Sequence, residues 1–286
     1  MERSSEIVAE HTIDSDNGEA YLELLKRVLT RYELEEYTAL DPVELAFSKP
    51  FPRLIIRVAN RILRPLGVGL GGLKKATPFL RQFGLDWPAN AETMIGLERL
   101  NQLHKALDNI RSQNVPGALM ETGVWRGGAV IFMAAYLKCH KLQRQVYVAD
   151  SFQGLPRPQD RYQADRGDKH YTQTWLSVGL ETVKGNFRKY GLLRDNVIFV
   201  PGFFEDTMPS LDLGQIALLR LDGDMYQSTL DVLENLYFKV SKGGFVIVDD
   251  YGLNGARNAV HDFLESNNLS PTIKRIDSTG VYWQIE

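Results

Sequence analysis

Unbroken apolar runs, rather than alternating ones, mark the second half of this chain. Two of them end on acid: Ile216-Ala217-Leu218-Leu219-Arg220-Leu221-Asp222 and Phe245-Val246-Ile247-Val248-Asp249-Asp250. Runs of this length, closed by turn residues, predict parallel strands buried on both faces. Ala118 opens a similar strand ahead of the helical run Ala129–Lys138, and Val146-Tyr147-Val148-Ala149-Asp150 reads as the next. Around them the pattern predicts helices over Thr93–Ile110, Leu180–Tyr190, Ser228–Val240 and Ala256–Asn267. A further strand is expected over Asn196–Val200, and Lys242-Gly243-Gly244 is expected to turn into the Phe245 strand. Strands alternating with helices predict an α/β, doubly wound sheet. Pro271–Asp277 and Gly280–Glu286, joined by Asp277-Ser278-Thr279-Gly280, predict a terminal hairpin.

In open α/β sheets, ligands sit beyond the carboxyl ends of the strands. Asp222, Asp249 and Asp250 are therefore expected to meet at one sheet edge. Hard oxygen donors in that arrangement suit Mg²⁺, although a strand-end Asp can also simply cap the following turn. The turn Glu121-Thr122-Gly123-Val124-Trp125-Arg126-Gly127-Gly128 passes from a strand into a helix. Glycines allow close backbone approach, and the helix start offers free N–H groups. Asp150, ending the next strand, stands where a ribose-binding acid is expected. The spacing is not G-x-G-x-x-G, so the pair points to an adenosyl ligand without a pyrophosphate.

These residues, with Thr93-Met94-Ile95-Gly96, Asp150-Ser151-Phe152-Gln153-Gly154-Leu155-Pro156, Phe204-Glu205-Asp206-Thr207, Leu219-Arg220-Leu221-Asp222-Gly223-Asp224-Met225-Tyr226 and Asp249-Asp250-Tyr251-Gly252, carry a family resemblance. The chain resembles the macrocin-type O-methyltransferases, which use S-adenosylmethionine and Mg²⁺ to methylate sugar hydroxyls of natural products. The likeness runs from about Ala91 to the end, and Tyr21–Thr30 resembles the family's first helix. It implies a Rossmann-like, seven-stranded class I methyltransferase fold over 91–286, with an antiparallel terminal hairpin and a helical N-terminal extension over 1–90. It also implies a homodimer or higher homo-oligomer.

On that reading Glu121, Thr122 and Gly123 frame the amino-acid part of S-adenosylmethionine, with Trp125 and Arg126 packed nearby. Asp150 holds the ribose with Ser151 beside it, and Glu205 and Asp206 meet the adenine edge. Mg²⁺ on Asp222, Asp249 and Asp250 would chelate neighbouring oxygens of a hydroxylated, sugar-like small molecule. Asp224 is the candidate base, supported by the resemblance, with a helix cap as its structural alternative. His170 is the second candidate, because the polar stretch Gly154–Gly179 that carries it is long enough to be a lid. Tyr251 and Arg257 follow the metal pair and are candidates to orient it, whereas His261 reads as a surface residue. A catechol-like acceptor, an NAD(P)-dependent oxidoreductase and a non-catalytic binding protein are the alternatives.

Composition adds limits. The chain has 286 residues, 44% apolar and 24% charged, with net charge −3, which gives no bias toward nucleic acid. Cys139 is the sole cysteine, so no internal disulfide is possible; with no signal-peptide layout at Met1–Glu6, the expectation is a cytoplasmic enzyme. Residues 45–85 carry eight basic side chains and no acid. Within them Arg53, Arg57, Arg61 and Arg64 share one helical face and Phe51, Ile55, Val58 and Ile62 another. That amphipathic segment is expected to dock on protein or shape the acceptor pocket, with membrane-surface contact by residues 45–75 as the minor reading.

Overall fold

The structure, a computed structural model, describes residues 15–34, 37–39, 50–63, 65, 73–75, 77–88 and 90–286. The chain order is α1 (Ser15–Thr30), β1 (Tyr37–Ala39), α2 (Pro50–Leu63), β2 (Leu73–Lys75), α3 (Pro78–Gln82), α4 (Gly96–Ser112), β3 (Ala118–Thr122), α5 (Gly128–Cys139) and β4 (Val146–Asp150). It continues with α6 (Leu180–Lys189), β5 (Val197–Pro201), α7 (Phe204–Thr207), β6 (Ile216–Leu221), α8 (Tyr226–Leu236), β7 (Val240–Val248), α9 (Asn254–Ser266), β8 (Lys274–Arg275) and β9 (Val281–Gln284).

Seven strands form one sheet in the order β5-β4-β3-β6-β7-β9-β8. β5 to β7 are parallel, and β9 and β8 add antiparallel to one edge. Adjacent strand residues point to opposite faces. Leu119, Val148, Leu218 and Ile247 therefore join one core with α1, α4, α5 and α6. Met120, Tyr147, Leu219 and Val246 join the other with α8, α9 and Trp283. This is why the strand runs read as continuously apolar. α1 inserts Leu22, Leu25 and Leu29 into the first core, so this part of the N-terminal extension is built into the main body.

The helix expected over Ser228–Val240 runs Tyr226–Leu236, with Val240 opening β7, and two further boundaries differ from expectation for physical reasons. α4 starts at Gly96 rather than Thr93, because Gly128 N–H bonds Glu92 O at 2.9 Å and draws that segment to the start of α5. Lys242-Gly243-Gly244 lies inside β7, not before it. Gly243 has φ +79° and the register against β6 shifts there, so the glycines make a bulge. In the basic segment, Ile55, Val58 and Ile62 on α2 are exposed, while residues 66–72 and the side chains of Phe51, Arg53, Arg57 and Arg64 lie outside the described residues. Among the described residues no helix is long and apolar enough to cross a membrane.

Candidate active site

Strand order reverses between β3 and β6, and the crevice at that switch point holds the site. Backbone pairing continues past the strands: Gly123 N–H bonds Ala149 O, Asp222 N–H bonds Thr122 O and Asp249 N–H bonds Leu221 O, at 2.8–2.9 Å. The acids are thus fixed by the sheet itself. Gly123 has φ +85°, and a Cβ there would lie 1.7 Å from the Asp222 carbonyl oxygen, so only glycine fits. A cavity opens above this edge.

Asp222, Asp249 and Asp250 each offer a carboxylate oxygen, all within 4.8 Å of one another. Beneath them lies Arg220, fully buried. Its guanidinium donates to Glu121 Oε1, to Asp222 Oδ2 at 2.7 Å and to Asp249 Oδ1. Arg99 donates to the other Asp249 oxygen, to Asp277 Oδ2 at 2.7 Å and to Thr279. The two arginines leave Asp250 aside: its Oδ2 accepts the Asp224 N–H at 2.9 Å. Burial, then the carboxylates of Asp224 and Asp222, pushes Asp250 well above its ordinary range. A crowded trio of hard donors, one of which has no cationic partner among the described residues, fits a divalent cation.

Asp224 lines the cavity and adopts φ +59°, a left-handed conformation that Asp tolerates. Burial and the neighbouring Asp222 push its carboxyl up to about 7, and His170 opposes the shift. Glu121 rises to about 8 mainly through burial, although Arg220 pulls it down. One guanidinium shared among three carboxylates does not neutralise them all.

On the cofactor side, Gly123, Trp125, Asp150, Ser151 and Glu205 line the same cavity. Asp150 Oδ2 accepts the Val124 N–H at 2.8 Å and Oδ1 the Phe152 N–H at 2.7 Å, which fixes the carboxylate against the wall with lone pairs to spare. Glu121 and Thr122 lie buried in β3 below the cavity. Arg126 is turned away: it stacks on Trp125 at 4.2 Å and donates to Ala91 O at 2.9 Å. Asp206 is exposed on α7, outside the lining. Tyr251 bonds His261 at 2.7 Å and Arg257 bonds Asn254, so neither reaches the acidic trio; the orienting groups are Arg99 and Arg220.

Residues 154–179 carry three short 3₁₀ turns, Gln163–Asp165, His170–Thr172 and Thr174–Leu176, and Gly154, Leu155, Pro156 and Leu176 line the cavity. Trp125 Nε1 donates to Trp175 O at 3.1 Å, and Trp175 stacks on Trp87 at 5.6 Å. Asp165, 2% exposed, accepts the Tyr226 and Gln227 N–H groups at 2.7 and 3.0 Å. This stretch thereby caps α8, the helix that follows Asp224. His170 pairs with Asp168 at 2.7 Å and stays outside the lining. At the deep end Gln227 and Asp231 join Glu205; burial, then Glu205, lifts Asp231 to about 6.

Sequence reasoning passed over Arg220, Arg99, Asp165 and Asp277. Arg220 had left one signal, a charged residue inside an otherwise apolar strand.

This fold, with a cofactor crevice at the switch point beside an acidic edge, defines a class I methyltransferase. A family model described as macrocin-O-methyltransferase (TylF) matches residues 18–285, and the chain belongs to that family of O-methyltransferases. The 8-demethyl-8-(2,3-dimethoxy-alpha-L-rhamnosyl)-tetracenomycin-C 4'-O-methyltransferase of Streptomyces olivaceus is 49% identical over 207 residues, covering 71% of this chain and 79% of that protein. The mycinamicin III 3''-O-methyltransferase of Micromonospora griseorubida is 45% identical over 239 residues, covering 81% and 94%. The solved structure of the O-methyltransferase NovP matches with TM-score 0.80 and 39% identity, covering 94% of this chain and 99% of that one. Membership sets aside the oxidoreductase and non-catalytic readings.

Proposed function

We propose that this enzyme methylates a sugar hydroxyl of a glycosylated small molecule, using S-adenosylmethionine and Mg²⁺. The observation that carries the reading is one cavity shared by the Gly123–Asp150 loop pair, the acidic trio and Asp224. A relative whose name specifies methylation of a rhamnosyl-bearing compound supports the acceptor class.

When bound, S-adenosylmethionine supplies a sulfonium methyl, and Asp150, Ser151 and Gly123 line the wall that would hold its ribose and amino-acid parts. Mg²⁺ on Asp222, Asp249 and Asp250 would supply Lewis acidity toward adjacent acceptor oxygens. Arg99 and Arg220 hold Asp249 from both sides, which fixes the geometry of the trio. Asp224 accepts the hydroxyl proton as the oxygen attacks; a carboxylate lifted to about 7 suits proton transfer near neutral pH. The lid excludes water and keeps the reacting atoms in line. Asp224→Asn is expected to lower kcat by about 10²–10⁴-fold while cofactor and Mg²⁺ binding persist. Turnover near that of the wild type, with binding intact, contradicts the assignment.

We further read residues 91–286 as the catalytic domain of a cytoplasmic, self-associating enzyme. Ile55, Val58 and Ile62, 53%, 54% and 68% exposed along α2, support self-association, and sedimentation of the full chain tests it.

A further inference from the structure

A second constellation lies on the far side of the first core, where α1, α4 and the end of α5 converge. His104 comes from α4, four residues before Asp108; His140 caps α5; Glu19 comes from α1. Glu19 Oε2 stands 3.5 Å from His104 Nε2, and its Oε1 stands 3.5 Å from His140 Nε2. Asp108 Oδ2 stands 3.8 Å from His104 Nε2. Among the described residues neither Nε2 atom has a hydrogen-bond partner; both are buried, and the His104 side chain is only 9% exposed.

These separations are too long for hydrogen bonds, which close at about 2.7–3.2 Å. The Glu19–His140 separation matches one coordination edge, since Zn–N and Zn–O bonds of about 2.0–2.2 Å set tetrahedral edges of about 3.3–3.6 Å. Ligand atoms of Glu19, Asp108 and His140 already lie within 4.8 Å of one another. The outer groups are in place as well. Tyr136 O–H donates to Asp108 Oδ1 at 2.7 Å, leaving Oδ2 to face His104. Lys26, the nearest ammonium, is engaged by Glu23 at 2.5 Å and Asn101 at 2.7 Å. Burial lowers both imidazole pKa values, which keeps their lone pairs free at neutral pH.

We propose that Glu19, Asp108 and His140 form a structural site for a divalent transition ion of the Zn²⁺ class, separate from the Mg²⁺ trio, with the buried His104 Nε2 facing the Glu19 and Asp108 carboxylates. The mixed imidazole and carboxylate set suits Zn²⁺ and not Mg²⁺. The ion clamps α1 to α4 and α5, and so fastens the N-terminal segment to the catalytic body.

Calorimetric titration of the full chain with zinc chloride, in excess Mg²⁺, tests this, and Co²⁺ reports tetrahedral geometry through its visible absorption. The expected result is one Zn²⁺ bound, with a raised Tm. Glu19→Gln and His140→Asn each weaken binding by about 10–100-fold, while methyl transfer without Zn²⁺ is retained. Asp249→Asn leaves Zn²⁺ affinity unchanged. Glu19 is 47% exposed on α1, so Glu19→Gln folds and decides the matter even if His140→Asn does not. No Zn²⁺ binding by the wild type, affinity unchanged by Glu19→Gln, or affinity lost in Asp249→Asn overturns the proposal.

Discussion

Replacing Arg220 by Met probes the polar centre of the fold. The guanidinium holds Glu121, Asp222 and Asp249 together, and its side chain is 2% exposed. Met fills most of the volume, so packing loss is small. The loss is electrostatic: Glu121 Oε2 already lacks a partner, and the substitution strips Oε1 as well. Breaking a buried pair from one side costs about 3–5 kcal/mol, because a buried charge is left uncompensated. At about 2–4 °C per kcal/mol, Tm falls by about 6–20 °C. Calorimetric melting and urea unfolding read the change. Mg²⁺ restores part of the loss, since Asp222 then lacks a competing cation and Asp249 keeps only Arg99. The double variant Arg220→Met/Asp222→Asn is more stable than Arg220→Met alone, because the carboxylate stranded by the loss of Arg220 is gone. A loss under about 1 kcal/mol, the worth of an exposed pair, refutes the reasoning.

Two further predictions concern pH and the lid. Glu121 is raised from 4.5 to about 8, so the folded state binds the extra proton. Its contribution to stability is complete below about 4.5 and is lost as pH rises to about 8. Glu121→Gln therefore removes a downward slope in urea midpoint between about pH 5 and 8, and identical slopes in the two proteins contradict this. Asp165→Ala strips both caps from the start of α8 and costs about 1–2 kcal/mol. It also raises KM for S-adenosylmethionine and speeds tryptic cleavage at Arg157, Arg161 or Arg166, whereas Asp165→Asn recovers part of each effect. An unchanged KM and cleavage rate would show that Asp165 does not hold the lid.

The placement of the acids along the sheet edge was legible because its signals are local. Apolar runs ending on Asp222, Asp249 and Asp250 place acids at strand ends whatever the strand order, and Gly123 marks a turn that only glycine makes. Asp224 follows from Asp222 by two positions. What escaped depends on distant partners. Arg99 reaches Asp277 in the terminal hairpin, and nothing in either neighbourhood records the other. Asp165 lies in a polar loop, where an acid is ordinary until the loop is folded onto α8. The same blindness misassigned Tyr251 and Arg257, whose nearness in sequence to Asp250 puts them on the wrong side of the turn. The Lys242–Gly244 bulge was mistaken for a turn because glycine marks both.

The most direct test is the initial rate of methyl transfer from S-adenosylmethionine to a glycosylated natural-product acceptor, titrated with Mg²⁺ after chelator treatment, in wild type and Asp250→Asn. The account predicts a rate that rises with Mg²⁺ to saturation in the wild type, and a low, Mg²⁺-insensitive rate in Asp250→Asn with cofactor binding retained. A wild-type rate indifferent to chelation, or an Asp250→Asn enzyme as fast and as Mg²⁺-responsive as the wild type, would contradict it.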